Sequence, residues 1–175
     1  MYLNKIKLFL VISICLIFFF LTYNDVKSEE PKIISGIAQV IDGDTIRIKK
    51  NKIRLFGIDA PEKNQQCQKP WLSISFLTLN KNYQCGKIST DRLKIKINNK
   101  FIMCKSRNKD RYNRFIAECF KDKTNINKWM VSSGYAVAYR KYSKKFVSQE
   151  DIAKKDKLGL WAGTFEMPWD WRKNN

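Results

Sequence analysis

The chain has 175 residues, with 34 Lys and Arg against 16 Asp and Glu, five Cys and no His. That length suits one domain, and 44% hydrophobic with 13% aromatic residues supplies a core, which excludes wholesale disorder despite the charge. The lack of His excludes Ser-His-Asp and Cys-His nucleophile pairs, His-ligated zinc and imidazole bases. Chemistry here rests on carboxylates, Arg, Lys, Tyr, Cys or a metal held by oxygen.

In chain order, Lys5 and Lys7 precede an uncharged, almost wholly apolar run of 14 residues from Leu8 to Leu21. That is signal-peptide length and short of the ~18–20 residues that span a bilayer. Residues 1–28 are read as a signal peptide cleaved after Val26-Lys27-Ser28, or alternatively as an uncleaved membrane anchor that Thr22 and Tyr23 extend. Residues 29–175 are then one domain, exported to the periplasm or the extracellular space, or held at the outer side of the inner membrane. Without the three Lys and one Asp of the leader, that domain keeps a surplus of 16 positive charges. Such a surplus suits a polyanion or an anionic surface, and nucleic acid and acidic membrane both qualify.

From Lys32 to Ile58 the pattern is β-branched and nearly alternating, broken at Asp42-Gly43-Asp44 and at Lys49-Lys50-Asn51-Lys52. It predicts a three-stranded antiparallel meander that Pro61 ends. Residues 63–84 read as irregular and polar, with a short helix after Pro70. A helix is expected from Cys85 to about Lys96, then strands over 101–105 and 114–120 around a charged loop, 106–111. A short helix over 127–133 is closed by Gly134, and a last one over 149–158 ends at Gly159. Trp161, Phe165, Trp169 and Trp171 are candidate clamps for the tail. The whole is mainly β with about three helices, and five short strands so arranged match the oligonucleotide/oligosaccharide-binding (OB) barrel, with another small barrel as competitor.

The exported part holds Cys67, Cys85, Cys104 and Cys119, an even number in an oxidising compartment. Neighbours in sequence, Cys67 with Cys85 and Cys104 with Cys119, are the natural pairs among three open connectivities, and without C-x-x-C or His the spacing argues against zinc. Asp42 and Asp44 flank a turn, and Asp59 and Glu62 follow the third strand. Antiparallel pairing brings those ends together, and four acids that converge repel one another unless a cation sits among them. Oxygen donors alone favour Ca²⁺ or Mg²⁺. Arg54 on the third strand and Arg114 at the start of a later one could clamp a phosphodiester facing that cation.

These residues resemble a known family. Val40-Ile41-Asp42-Gly43-Asp44-Thr45 with Ile53-Arg54-Leu55-Phe56-Gly57-Ile58-Asp59-Ala60-Pro61-Glu62 is similar to the signature of staphylococcal nuclease homologues, the thermonuclease family. Asp110-Arg111-Tyr112-Asn113-Arg114 resembles its second motif, and Trp129-Met130-Val131 through Gly134-Tyr135-Ala136 to Ala138-Tyr139 its third. The tail from Trp161 to Arg172 and the four cysteines resemble the exported branch found in many Gram-negative bacteria. The resemblance implies a staphylococcal nuclease-like OB fold and a Ca²⁺-dependent nuclease that hydrolyses DNA, RNA or both to 3′-phosphate ends, working as a monomer. It implies Asp44, Asp59 and the Ala60 carbonyl as Ca²⁺ ligands, Asp42 in the supporting shell, and Glu62 on the attacking water. Arg54 and Arg114 then bind phosphate, and Arg111, Tyr112 and Tyr139 contact the nucleotide. Asn113 stands where the motif has Gly and tolerates the left-handed turn this requires. A non-catalytic nucleic-acid-binding barrel is the alternative function, and a membrane-bound basic adaptor a further one.

Overall fold

The computed structural model describes residues 12–13, 30–75 and 77–175. The leader read over residues 1–28 lies outside the described residues, Ile12 and Ser13 apart. The alternating stretch forms β1 (Lys32–Val40), β2 (Thr45–Ile48) and β3 (Asn51–Leu55), paired antiparallel in that order. Ile34, Ala38, Ile46, Ile48, Ile53 and Leu55 are buried, so the period of two sends one face of each strand inward. After them come β4 (Ile58–Asp59), β5 (Cys67–Ile74), β6 (Leu77–Tyr83), α1 (Cys85–Ile97), β7 (Phe101–Lys109), β8 (Phe115–Lys121) and β9 (Thr124–Asn125). The chain ends with α2 (Ile126–Ser132), β10 (Val137–Ala138), α3 (Val147–Lys155), a 3₁₀ turn (Gly159–Ala162) and α4 (Pro168–Asn174).

Pairing of β1 with β7, β7 with β8 and, in parallel, β8 with β3 closes a five-stranded barrel of OB type. Leu93 and Ile97 of α1 and Ile126, Met130 and Val131 of α2 complete its core. A second cluster joins Cys67, Cys85, Val137 and Leu160, with Trp161, Phe165 and Trp169 packed on it. The disulfides are Cys67–Cys85 and Cys104–Cys119, the latter between register partners of β7 and β8.

Two expectations need correction. The described residues of 63–84 hold no helix: β5 and β6 form a hairpin, because Leu72-Ser73-Ile74 and Leu77-Thr78-Leu79-Asn80 alternate with a period of two and Pro70 marks a register shift. The charged loop expected over 106–111 is strand as far as Lys109, since pairing with β8 overrides its composition. Of the aromatic clamps expected in the tail, Trp161, Phe165 and Trp169 pack on the second cluster. With Pro168 at its first turn the tail also forms α4, a helix beyond those expected.

Candidate active site

The turn between β1 and β2 sets the first acids. Ile41 and Asp42 donate their N–H groups to the Thr45 carbonyl at 2.9 and 3.3 Å, and Asp44 N donates to Asp42 Oδ1 at 3.0 Å. Gly43 serves close approach, since a Cβ there would stand 2.3 Å from Ser89 Oγ and 2.6 Å from the Ala60 Cβ. The turn is thereby pressed against the segment that follows β4. Asp44 is buried, its Oδ2 accepting the Ala60 N–H at 2.8 Å and its Oδ1 the Thr45 hydroxyl at 3.1 Å.

Asp59 ends β4, paired in register with Val137 of β10, and is fully buried. Arg54 projects from β3 between the two acids, its guanidinium pairing with Asp44 Oδ1 and, at 2.5 Å, with Asp59 Oδ1. Glu62 is fixed through its backbone: its carbonyl accepts Gln65 N at 2.7 Å and its N–H donates to Gln65 Oε1 at 3.2 Å. Beneath it a Cβ on Gly86 would stand 1.7 Å from the Glu62 carbonyl oxygen, so only glycine lets α1 begin there. The buried Gln65 side chain continues to the Glu166 carbonyl at 2.7 Å, tying this loop to the tail.

A residue without an assigned role in the sequence reading completes the cluster. Arg172 of α4 donates to Asp59 Oδ2 at 2.8 Å, to Asp59 Oδ1 at 3.2 Å and to Glu62 Oε1 at 2.7 Å. Trp169, one turn earlier, stacks on Tyr139 with centroids 5.4 Å apart and planes 3° from parallel. The signal available in sequence was the helical start at Pro168 and an Arg whose local acid, Asp170, is taken by Lys173. Asp44, Arg54, Asp59, Arg172 and Glu62 thus form one alternating chain of acids and guanidiniums, with Asp42 behind Asp44.

The second motif lies outside that chain. Arg114 Nε donates to Asp110 Oδ2 at 2.7 Å, and Asp110 Oδ1 accepts the N–H groups of Tyr112 and Arg114 at 3.0 and 2.9 Å. Asn113 adopts the expected left-handed conformation, φ 63°. Arg111 donates to the Tyr112 hydroxyl at 2.8 Å, and the Arg111 and Arg114 guanidiniums lie 4.8 and 5.5 Å from the Tyr112 ring. Arg114 comes two residues before Ile116, the strand partner of Arg54. Phe56, Lys105, Arg107, Ile116, Phe120 and Lys145 line an open concavity of about 640 Å³ on the outer side of these strands. Since parallel partners point the same way, it opens on the side on which Arg54 stands.

The electrostatics of the acid cluster are unbalanced. Burial, and then the neighbouring Asp44 charge, push the Asp42 carboxyl up to about 6. Burial also raises Asp59; the Arg172 contact opposes this and the Asp44 charge adds to it. Burial alone would lower Arg54, but the charges of Asp44 and Asp59 hold it above the ordinary arginine value. Among the described residues no three carboxyl or thiol groups stand arranged to hold a metal ion, because guanidiniums lie between the acids. The donor set nevertheless suits a hard divalent cation: Asp44, Asp59 and Glu62 share two guanidiniums with Asp42 behind them, Asp42 and Asp59 are held above their ordinary values, and every donor is oxygen.

The pattern described as Staphylococcal nuclease homologue matches residues 52–163. The chain belongs to that family. It is 34% identical over 141 residues to the succinoglycan biosynthesis protein ExoI of Rhizobium meliloti, covering 79% of this chain and 69% of that one. It is 32% identical over 144 residues to an uncharacterized endonuclease of Escherichia coli O157:H7, covering 78% and 82%. A micrococcal nuclease of Shigella flexneri is 29% identical over 155 residues, covering 78% and 79%. The matched stretch holds Arg54, Asp59, Glu62 and Arg114, while Asp42, Asp44 and Arg172 flank it.

Proposed function

We propose that this protein is an exported, calcium-dependent nuclease that hydrolyses phosphodiester bonds of DNA, RNA or both to 3′-phosphate ends, working as a monomer. The observation that carries the reading is Arg54 held between the buried acids Asp44 and Asp59, in a chain of the staphylococcal nuclease homologue family. Relatives named endonuclease and micrococcal nuclease support the reaction class. Two disulfides support an oxidising compartment, and the positive surplus supports a polyanionic substrate.

Asp44, Asp59 and the Ala60 carbonyl would hold the cation, with Asp42 in support. When bound, it neutralises phosphoryl charge and polarises the phosphorus centre. Arg54, freed from the acids, and Arg114, freed from Asp110, donate to phosphoryl oxygens whose charge grows as water attacks. Glu62 orients that water. With a reference pKa of about 4.3 it is a weak base, so alignment is its main contribution. The bond from water oxygen to phosphorus forms as the bond to the 5′ oxygen breaks; the water proton passes by way of Glu62 to solvent, and the departing oxygen, hydrogen-bonded by Arg114 without taking its proton, is protonated by solvent water. Arg111, Tyr112 and Tyr139 contact the nucleotide.

The deciding experiment is digestion of single- and double-stranded DNA and of RNA with calcium present or chelated. Acid-soluble products in calcium only, resistant to polymerase extension until treated with phosphatase, are expected. Binding without cleavage under every condition would make the protein a nucleic-acid-binding barrel instead.

A further inference from the structure

Across the hairpin of β5 and β6, Leu72 pairs with Leu79 and Ile74 with Leu77, so these four aliphatic side chains share one face. Ser73 and Thr78 share the other, their hydroxyls 3.3 Å apart. The four are between 41% and 62% exposed, and Trp71 beside them is 67% exposed. The register shift between Pro70 and Leu72 leaves Trp71 as the extra residue, and this returns Leu72 to the face of Leu79. Without that bulge the apolar face would be scattered over both sides.

Directly behind this face Lys69 pairs with Lys81. Leu77, Leu79 and Lys81 alternate along β6 and so stand on the same side. Like charges opposed across strands cost stability in water, and a two-stranded hairpin with a bare apolar face is marginal by itself. Both features are relieved by one kind of partner. A second copy of the hairpin would bring four lysines together, and a polynucleotide would satisfy the lysines but leave the aliphatic side chains in water. An anionic bilayer satisfies both, taking apolar side chains and tryptophan into its interfacial layer and lysines onto its phosphates.

We infer that this hairpin is a membrane-contact element: Trp71, Leu72, Ile74, Leu77 and Leu79 enter the interface of an anionic bilayer while Lys69 and Lys81 engage its headgroup phosphates. The contact is independent of the acid cluster and of residues 1–28. The test mixes the full chain with vesicles of phosphatidylcholine, with and without phosphatidylglycerol. The double substitution Ile74→Ser and Leu77→Ser should weaken partitioning into the anionic vesicles by about tenfold or more. Lys69→Gln and Lys81→Gln should each weaken it by about fivefold, on anionic vesicles only. Brominated lipid should quench tryptophan emission in the parent chain, and Trp71→Phe should remove that quenching. Residues 1–28 are present in every variant, so if they alone keep all variants on the vesicle, the bromine result decides. Quenching unchanged in Trp71→Phe overturns the inference, as does loss of self-association without vesicles in the serine variant, which would make the face a contact between copies.

Discussion

Asp59 and Glu150 are both buried carboxylates that meet two cationic side chains, and they end in opposite electrostatic states. Glu150 of α3 pairs with Arg140 at 2.5 Å and Lys154 at 2.8 Å, and its second oxygen accepts the Ala138 N–H at 3.0 Å. Burial pushes its carboxyl up, but those contacts outweigh burial and hold it below the ordinary value. Asp59 has two guanidiniums and is still raised, chiefly by burial, to which the charge of Asp44, sharing Arg54 with it, adds. A carboxylate that fixes β10 to α3 is fully balanced. The one proposed to hold a cation is left in deficit, its counter-ions shared among several acids.

Substitutions that treat the two clusters alike should separate them most sharply in turnover. Arg54→Ala removes a donor from the growing phosphoryl charge and should cut kcat on DNA by about 10²- to 10³-fold. Glu150→Gln, which keeps an acceptor for Ala138, should leave kcat per folded molecule unchanged. Equal losses in steady-state assays would mean that the acid cluster, like that of Glu150, is only scaffolding.

Stability should divide them with opposite sign. Glu150→Ala strands the buried Ala138 N–H and should cost about 1–3 kcal/mol in urea unfolding. Asp42→Asn keeps the acceptor for Asp44 N but removes a carboxylate that burial and Asp44 disfavour, so with chelator present it should stabilise the protein. Destabilisation by both would show that the acid cluster carries no charge excess.

Arg172 sharpens the comparison further. It occupies both oxygens of Asp59, so it competes with any cation that Asp59 would hold. Calorimetry on Arg172→Gln should show calcium binding tighter by about threefold, a modest gain because the guanidinium is partly solvated. Arg172→Lys, which keeps the charge but loses the two-pronged contact, should fall between. Unchanged affinity in both would make Arg172 a clamp for α4 alone.

What the sequence disclosed and what it hid follow the range of the interactions. The meander and the helix from Cys85 rest on periodicity and turn chemistry within a few residues, the left-handed Asn113 on the glycine that the resembled motif has there, and the structure carries all three. The acids of one turn and one strand end could be brought together on paper because antiparallel pairing has simple geometry. Arg172 reaches Asp59 across 113 residues, and nothing local to α4 signals that choice of partner. Nothing local to α3 signals the burial of Glu150, since that burial depends on β10 packing beside it. The hairpin after Cys67 was missed because polar residues and Pro70 masked a period of two that exposed leucines also obey.

The smallest expected effect is the response of Glu150 to pH. Its folded-state carboxyl lies below the ordinary 4.5, so its contribution to stability is present above that pH and is lost as pH falls through the lower folded value. Unfolding free energy of the parent chain should therefore decline more steeply below pH 4.5 than that of Glu150→Gln, which has no proton to take up at that position. Arg140 and Lys154 are partly exposed and screened, so the two curves should differ by only about 1 kcal/mol. Parallel curves would mean that solvent already screens these ion pairs fully, and that the Ala138 hydrogen bond, which glutamine retains, accounts for what Glu150 contributes.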